Sequence, residues 1–367
     1  MPSLPQPAPS ALARSNKLRD IIQQTINTKD NGMCFSDYMH MALYTPELGY
    51  YNSPTISFGK SGDFVTAPEI SDLFSKVTAR QIASVIKKIK NPCIVEFGAG
   101  SGRLAAFILS EFDKMGINID KYLILETSKH LQNLQNETLA NCYPGYSAKV
   151  KWINKLPQKT NGVVLANEVM DAMPVKRFVI EHQKIYEILV TDSFNWRKGK
   201  EIVLDLPYHL SEYPDGYISE YSELVVPWVN TVLQSLHQGL VLLIDYGYED
   251  FEYYHPARKT GTLKCFYRHH QHEDPFLFPG LCDISAHINF SQIAKLVDAY
   301  IFVSQAEFLL YGGITELVED SASIVKRAKI SKEIQTLVRP EQMGEVVKVL
   351  GLCKNIEPPD FQLVSIK

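Results

Sequence analysis

A glycine-rich turn with an acid just before it is the part of the sequence best suited to binding a small molecule. An apolar segment, 93–97, runs into GAGSG at 98–102, and Glu96 lies two positions before the first glycine. Glycine permits both the torsions of a tight turn and a close approach of backbone to a ligand. A nucleotide is the expected ligand, although the same letters also describe an ordinary strand-to-helix turn.

The charges around this turn discriminate between kinds of nucleotide. In the dinucleotide pattern G-x-G-x-x-G the third glycine would fall at position 103, which is Arg103, and Glu96 would repel a pyrophosphate. S-adenosylmethionine carries an ammonium and a sulfonium and no phosphate, so a nearby carboxylate attracts it. Glu126 ends the next apolar segment, where a doubly wound fold places the acid that binds ribose hydroxyls. We therefore expect S-adenosyl-L-methionine as cofactor and S-adenosyl-L-homocysteine as product.

A second polar group follows a later apolar strand. Asn167, Glu168 and Asp171 are expected beside the sulfonium, because the carboxyl ends of parallel strands share one edge of a sheet. Carboxylates hold a guanidinium well, and drawing its charge aside makes one nitrogen a better nucleophile. These residues are our catalytic candidates for methyl transfer. Alternatively, Asp171 caps a turn and Glu168 pairs with Lys176 or Arg177.

Three further features carry weaker signals. Asp245 and Tyr246 end another apolar strand, where they would contact the acceptor, or Asp245 only caps a loop. His287 is a candidate base, although a lone histidine is more often hydrogen-bonded structure. The histidine-rich stretch 269–274 resembles a metal site in composition, but adjacent histidines rarely converge on one ion, and we expect no metal.

The elements that must position these residues alternate between strand and helix. This alternation predicts an α/β, Rossmann-like fold with a mainly parallel twisted sheet. A hairpin is expected at 176–191, an extended segment at 300–305 and a final helix at 341–350. The predicted sheet strands are 93–97, 122–125, 162–166 and 240–244.

The domain organisation follows from these elements. Four prolines in the first ten residues favour a flexible leader over 1–15, followed by an N-terminal helical cover and cofactor-covering loop at 16–90. The methyltransferase core is expected at 91–175 and 236–367, with a loop insertion at 249–290. An inserted substrate- or partner-binding subdomain is expected at 176–235.

Composition limits the partners. The net charge of -4 lacks the positive field that collects nucleic acid, and no apolar run approaches the roughly 20 residues of a membrane-spanning helix. Six dispersed cysteines without a CxxC pair indicate a reducing compartment, a bacterial cytoplasm or alternatively a mitochondrial matrix. The oligomeric state, monomer or homodimer, stays open.

Six ordered blocks resemble the MidA family of class I methyltransferases, which comprises bacterial proteins and a mitochondrial complex I assembly factor. The resemblance extends from about 16 to 353, and its only evident departure is Lys264, where a second arginine is expected. The blocks are GYYNSPTISFGKSGDFVTAPEIS (49–71), VEFGAGSGRLA (95–105), NEVMDAMPVKRF (167–178), LLIDYG (242–247), GTLKCFYRHH (261–270) and PGLCDISAHINF (279–290).

The resemblance implies roles for particular residues. Glu126 would bind the ribose, and in mitochondrial members the implied activity is methylation of an arginine on a complex I subunit. Contacts to the methionine part of the cofactor are implied for Glu96, Gly98, Gly100 and Gly102, and a fold over the cofactor for Gly62, Asp63, Thr66 and Ser71. Two other functions stay possible: methylation of a small molecule, or a cofactor-binding assembly factor with little turnover.

Overall fold

The structure, a computed structural model, describes residues 4–53, 65–318 and 323–359. Its helices are α1 (Pro9–Asn27), α2 (Phe35–Tyr44), α3 (Ala67–Ile70), α4 (Asp72–Ile86), α5 (Arg103–Lys114), α6 (Lys129–Cys142), α7 (Val225–Ser235), α8 (Asp250–Tyr253), α9 (Phe290–Ala294), α10 (Gln305–Tyr311) and α11 (Ile324–Val338). Its strands are β1 (Met33–Cys34), β2 (Cys93–Phe97), β3 (Lys121–Leu125), β4 (Val150–Ile153), β5 (Thr160–Asn167), β6 (Lys176–Glu181), β7 (Lys184–Val190), β8 (Trp196–Ile202), β9 (Tyr217–Tyr221), β10 (Leu236–Tyr248), β11 (Lys264–Tyr267), β12 (His270–His272), β13 (Asp283–Ser285), β14 (Ile288–Asn289), β15 (Tyr300–Ser304) and β16 (Val347–Lys354).

The chain divides into two compact units. The first is built from 1–64, 170–227 and 248–291, and the second from 65–169, 228–247 and 292–367. The second unit begins at 65 and not at the expected 91, because side chains of α4 such as Phe74 and Ile82 lie in the same buried core as those of α5. The expected insertion 249–290 shares the first unit with most of the expected subdomain 176–235.

The sheet of the second unit confirms the Rossmann-like prediction. Its strands lie in the order β15-β16-β10-β5-β2-β3-β4, and all neighbours from β10 to β4 are parallel. The chain proceeds from β2 outward to β3 and β4, then returns to β5 on the other side of β2. Ligands of open α/β sheets bind at the carboxyl ends of the strands where the order reverses in this way. The candidate site is therefore expected after β2 and β5.

Strand composition explains why this sheet is buried on both faces. The residues of β2 after Cys93 are all buried, as are 240–245 of β10. Buried runs that are apolar except for one acid near the strand end, here Glu96 and Asp245, are typical of parallel strands covered by helices on both sides. On α5, the buried Leu104, Ile108 and Phe112 recur at helical spacing and form the face that covers the sheet.

Two expectations about the chain ends were wrong. The expected leader 1–15 is helical from Pro9 onward, because proline is well tolerated in the first turn of a helix. The expected helix at 341–350 gives way to β16, which pairs antiparallel with both β10 and β15. The β-branched residues Val347 and Val349 favour a strand. Pairing with β10 on one side and β15 on the other gives the backbone N–H and C=O groups of β16 hydrogen-bond partners, so the strand forms despite the helical spacing of the sequence.

The first unit contains two small antiparallel sheets. One has the order β1-β7-β6-β9, with β8 on β7, and the other the order β12-β11-β13. The predicted hairpin at 176–191 is confirmed as β6 and β7, joined through His182 and Gln183 with φ of 53° and 58°. Such positive φ values at both central residues are typical of two-residue hairpin turns. Tyrosines and Phe178 form the core against this sheet.

Among the residues that the structure describes, no helix is both long enough and apolar enough to cross a membrane.

A close approach of three strands generates a stability prediction. Gly162 of β5 lies between Cys93 of β2 and Gly239 of β10, and a Cβ on Gly162 would lie 2.0 Å from the Cys93 carbonyl oxygen. We expect Gly162→Ala to lower the free energy of unfolding by about 3 kcal/mol or more, since steric overlap adds to backbone strain at a φ of +136°.

Gly116→Ala is the matched control. Gly116 also has a positive φ, +64°, but nothing lies within 4 Å of its added Cβ, so about 1 kcal/mol is expected. Urea denaturation monitored by circular dichroism measures both. Equal losses in the two variants would refute the close-approach explanation.

Candidate functional site

The glycine turn joins β2 to α5 in a conformation that glycine alone adopts readily. Gly98, Gly100 and Gly102 have φ of 60°, 52° and 87°. A Cβ on Gly98 would lie 2.8 Å from the Val169 side chain, and one on Gly102 would lie 3.1 Å from the Cα of Gln135. The turn is therefore enclosed by its neighbours, and its backbone is held at a fixed distance from the end of β5 and from α6.

Glu96 is buried at the end of β2. It is 2% exposed, and its carboxylate accepts a hydrogen bond of 2.8 Å from the hydroxyl of Tyr122. Burial raises the pKa of Glu96 to about 7, and the hydrogen bond from Tyr122 opposes part of that shift. Near neutral pH the group is thus poised between its neutral and ionised forms. A cationic ligand group beside it would favour the ionised form.

Glu126 follows β3 and lies next to the first turn of α6. Its Oε1 accepts from the backbone N–H of Ser128 at 2.8 Å, and its Oε2 accepts from the side-chain amide of Gln135 at 3.3 Å. Burial raises the pKa of Glu126, and these hydrogen bonds act in the opposite direction. A third hydrogen bond comes from the backbone of Thr127. A carboxylate can accept about four hydrogen bonds, so acceptor capacity remains for a ribose hydroxyl.

Gln135 is a site residue that sequence reasoning missed. It is fully buried on α6 and contacts both the glycine turn and Glu126. No sequence motif indicates this role. A glutamine nine residues after an acid is common in helices, and its contacts with the glycine turn depend on how α6 packs.

The segment from Thr66 to Asp72 is fastened to the glycine turn. Ser101 donates a hydrogen bond to Glu69, and the Arg103 guanidinium binds Asp72 and the carbonyl of Pro68. Arg103, which stands where a dinucleotide pattern would have its third glycine, is thus an anchor for this segment. The short helix α3 lies within it.

Of the four residues expected to cover the cofactor, the structure describes Thr66 and Ser71. Thr66 precedes α3, and Ser71 is buried as the cap of α4, where its hydroxyl accepts from the Leu73 N–H and donates to Glu333. These contacts of Ser71 are structural. Gly62 and Asp63 lie outside the described residues.

The end of β5 carries a strained backbone. Glu168 has a φ of 51°, its N–H donates to the Ile244 carbonyl at 2.8 Å, and its Oε1 accepts from the N–H of Ala67 at 3.1 Å. The Asn167 amide donates to the same oxygen at 3.2 Å. Non-glycine residues in this conformation are uncommon and cluster at functional sites. Within the described part of the chain, the buried Oδ1 of Asn167 accepts no hydrogen bond.

Asp245 supports this turn from β10. Fully buried, it accepts hydrogen bonds from the backbone N–H groups of Val169 at 3.2 Å and Tyr246 at 2.9 Å. These contacts correspond to the loop-capping alternative for Asp245. Tyr246 is partly buried and packs against the core of the second unit.

Two other candidates belong to the first unit. The carbonyl of Asp171 accepts from the N–H of Ala286 at 2.9 Å. His287 has its ring 5.2 Å from that of Tyr248, and desolvation together with the charges of two cations lowers its pKa to about 4. The cations are Arg258 and Lys264. The imidazole is therefore neutral at physiological pH, but so low a pKa makes it a weak base.

Lys176 and Arg177, the alternative partners of Glu168, bind other acids. Lys176 pairs with Glu223 at 2.8 Å and Arg177 with Glu220 at 3.2 Å. As for metals, no group of three or more histidine, cysteine or acidic side chains is placed to hold an ion within 4–53, 65–318 and 323–359.

This arrangement fits a positively charged nucleoside. The glycine turn is packed closely against Val169 and Gln135, and two buried carboxylates, Glu96 and Glu126, lie beside it at the ends of adjacent strands. Cationic groups relieve the desolvation of the first acid, and hydroxyls match the free lone pairs of the second. S-adenosylmethionine carries both kinds of group.

Comparisons with known proteins agree with this chemistry. A family model described as "Putative S-adenosyl-L-methionine-dependent methyltransferase" matches residues 77–305. The chain is 28% identical to "Protein arginine methyltransferase NDUFAF7, mitochondrial" of Danio rerio, covering 84% of this chain and 81% of that protein. It is 27% identical to the Mus musculus protein of the same name, covering 91% and 84%.

Solved structures extend the comparison to three dimensions. A "likely methyl transferase" from Burkholderia thailandensis, crystallised with S-adenosyl-homocysteine, has a TM-score of 0.88 and 35% identity, covering 97% of this chain and 96% of that one. A native crystal structure of an uncharacterised protein from the same organism has a TM-score of 0.87 and 34% identity, covering 99% and 98%.

The protonation of Glu96 predicts how cofactor affinity depends on pH. The pKa of about 7 lies above the ordinary 4.5, so in the free protein the group is neutral below pH 7 and ionised above it. A ligand ammonium binds better beside the ionised form, so binding must release a proton at low pH. We expect the Kd for S-adenosylhomocysteine to rise roughly tenfold from pH 8 to pH 6.

Isothermal titration calorimetry in buffers of different ionisation enthalpy measures both the Kd and the proton release. Glu96→Gln should bind more weakly and with little dependence on pH. Tyr122→Phe should move the inflection to higher pH, because it removes the hydrogen bond that favours the ionised carboxylate. An unchanged pH profile in Glu96→Gln would assign the titration to another group.

Proposed function

The chain belongs to the family of putative S-adenosyl-L-methionine-dependent methyltransferases, and we propose that it methylates an arginine side chain of a protein substrate. Its S-adenosyl-L-methionine-dependent methyltransferase activity, its α/β fold and its MidA-family resemblance are confirmed by the family match over 77–305 and by the relatives of known structure. The choice of arginine is the proposal.

Glu168 is the observation that carries this proposal. Its carboxylate lies at the end of β5 on a left-handed backbone, with Oε1 held by the N–H of Ala67 and the Asn167 amide. A carboxylate held in this way can accept the paired N–H donors of a guanidinium. The relatives from Danio rerio and Mus musculus, whose names state arginine methylation, support the same acceptor.

The chemistry asked of this chain is mainly positioning. The cofactor supplies a methyl group already activated on a sulfonium. Glu168 would draw the guanidinium charge toward the nitrogens it binds, which leaves electron density on the nitrogen that attacks. In the transfer one S–CH3 bond breaks, one N–CH3 bond forms, and the methylated nitrogen releases one proton, for which the Glu168 carboxylate is the proposed acceptor. S-adenosylhomocysteine is the other product.

The proposed substrate is a subunit of respiratory complex I, and the proposed compartment is a bacterial cytoplasm. The first proposal extends the family resemblance. The second is supported by the six cysteines, all within the described residues and none in a disulfide, and by the identity to bacterial proteins of Burkholderia thailandensis.

We expect Glu168→Gln to lower kcat for the protein substrate by roughly 10- to 100-fold, the loss of a charge-assisted contact made in the transition state. The Kd for S-adenosylhomocysteine should change less than about threefold, because glutamine keeps an oxygen that accepts from the Ala67 N–H. Glu137→Gln, the same substitution at an exposed position of α6, should leave both unchanged.

The assay incubates the purified protein with methyl-labelled cofactor and an extract containing complex I subunits. Methylarginine in a labelled protein band supports the proposal. Label confined to small molecules would favour small-molecule methylation, and cofactor binding without any transfer would favour an assembly factor. If Glu168→Gln lost cofactor affinity together with activity, Glu168 would belong to the cofactor site and not to the acceptor.

A further inference from the structure

One buried side-chain amide links the glycine turn to the acid after β3. Gln135 has no exposed surface, and its Nε2 donates to the carbonyl of Gly100 at 3.1 Å and to Oε2 of Glu126 at 3.3 Å. Its Oε1 accepts from the indole N–H of Trp152 at 2.8 Å. Both amide N–H donors and the amide oxygen are therefore engaged.

The orientation of this amide is determined by its partners. The indole of Trp152 can only donate, while the Gly100 carbonyl and the Glu126 carboxylate can only accept. Rotating the amide by 180° would place oxygen against two acceptors and nitrogen against a donor. Gln135 consequently holds two acceptors at a fixed separation from each other.

The two acceptors belong to different parts of the cofactor site. Gly100 lies in the turn after β2, and Glu126 follows β3. Beneath them, the main chain of Gln135 would lie 3.1 Å from a Cβ on Gly102, so α6 leaves no room for the turn to shift toward it. The main chain of Gln135 therefore limits how closely the glycine turn can approach α6. Its side-chain amide limits the orientation of the Glu126 carboxylate.

We propose that Gln135 is a positioning residue that aims the Glu126 carboxylate at the ribose hydroxyls of the cofactor, with Trp152 fixing the amide that does so. This inference rests on the assignment of Glu126 to the ribose. Without the amide, Glu126 keeps its backbone hydrogen bonds from Ser128 and Thr127 but loses the one side-chain donor to Oε2 that comes from α6. The carboxylate can then rotate away from the diol, so ribose recognition weakens while the rest of the site persists.

A binding cycle between protein and ligand tests this role. The ligands are S-adenosylhomocysteine and its 2′,3′-dideoxy analogue, and the Kd for each is measured by calorimetry. In the natural protein the two hydroxyls should strengthen binding roughly 100-fold. Gln135→Met, which keeps the length of the side chain but forms no hydrogen bond, should reduce that advantage to roughly tenfold, with little effect on the Kd of the dideoxy ligand.

Gln132→Met is the matched control on the same helix. The Gln132 amide donates to the backbone carbonyl of Glu126 at 2.7 Å and not to its carboxylate. Any loss of affinity in this variant should be equal for the two ligands. Equal losses for the two ligands in Gln135→Met as well, or no loss there, would overturn the inference and leave Gln135 as a packing residue.

Trp152→Phe covers the case in which Gln135→Met does not fold. It leaves Gln135 in place and removes only the donor that orients the amide, so a smaller loss of about threefold is expected, again confined to the hydroxylated ligand. A loss shared by both ligands would contradict the role given to Trp152 and Gln135. If the natural protein itself did not discriminate the hydroxyls, Glu126 would not bind ribose and the inference would fall with that assignment. Neither result depends on which acceptor is methylated.

Discussion

The burial of two carboxylates at the ends of neighbouring strands is the constraint around which the cofactor site is built. An ionised carboxylate away from water is expensive unless hydrogen bonds or a cation compensate it. The hydrogen bond from Tyr122 offsets only part of the desolvation of Glu96, so the pKa of Glu96 is about 7. Ser128 and Gln135 donate hydrogen bonds to Glu126 and oppose the rise in its pKa that burial causes. The desolvation of Glu96 that remains uncompensated would be relieved by the ammonium of a cofactor bound in the candidate site.

The glycine turn contributes geometry to this electrostatic arrangement. Left-handed torsions at its three glycines bring the backbone between the end of β5 and α6, where side chains would collide. The anchors on Ser101 and Arg103 then hold α3 against the same turn. A site held from several directions needs little rearrangement when a ligand binds, which is the condition for catalysis by positioning.

The end of β5 is organised separately from the cofactor acids. Asp245 orients the turn through backbone N–H groups, and Glu168 accepts the strained conformation that this turn imposes. Asp245 thus has a structural role at this turn, and Glu168 is the proposed acceptor-binding acid beside it. Two carboxylates close to one strand end need not share a role.

Much of the fold followed from local signals. Short apolar runs, turn residues and neighbouring charges were enough to predict several features. These are the strands at 93–97 and 162–166, the glycine turn, the hairpin at 176–191 and the positions of Glu96 and Glu126. These features depend on neighbours in the chain, which is why periodicity and composition identify them. The preference for a cationic cofactor is likewise a property of residue types.

Other features were decided only when distant segments met. The sequence at 341–350 has helical spacing, yet β16 forms because β10 and β15 offer hydrogen bonds on both sides. Gln135 became a site residue only because α6 packs beneath Gly102, and Asp245 became a support only because β10 lies beside β5. Residue types determined which ligand this chain attracts. Tertiary packing decided which side chains hold the binding groups in place, because those contacts join residues that no local pattern connects.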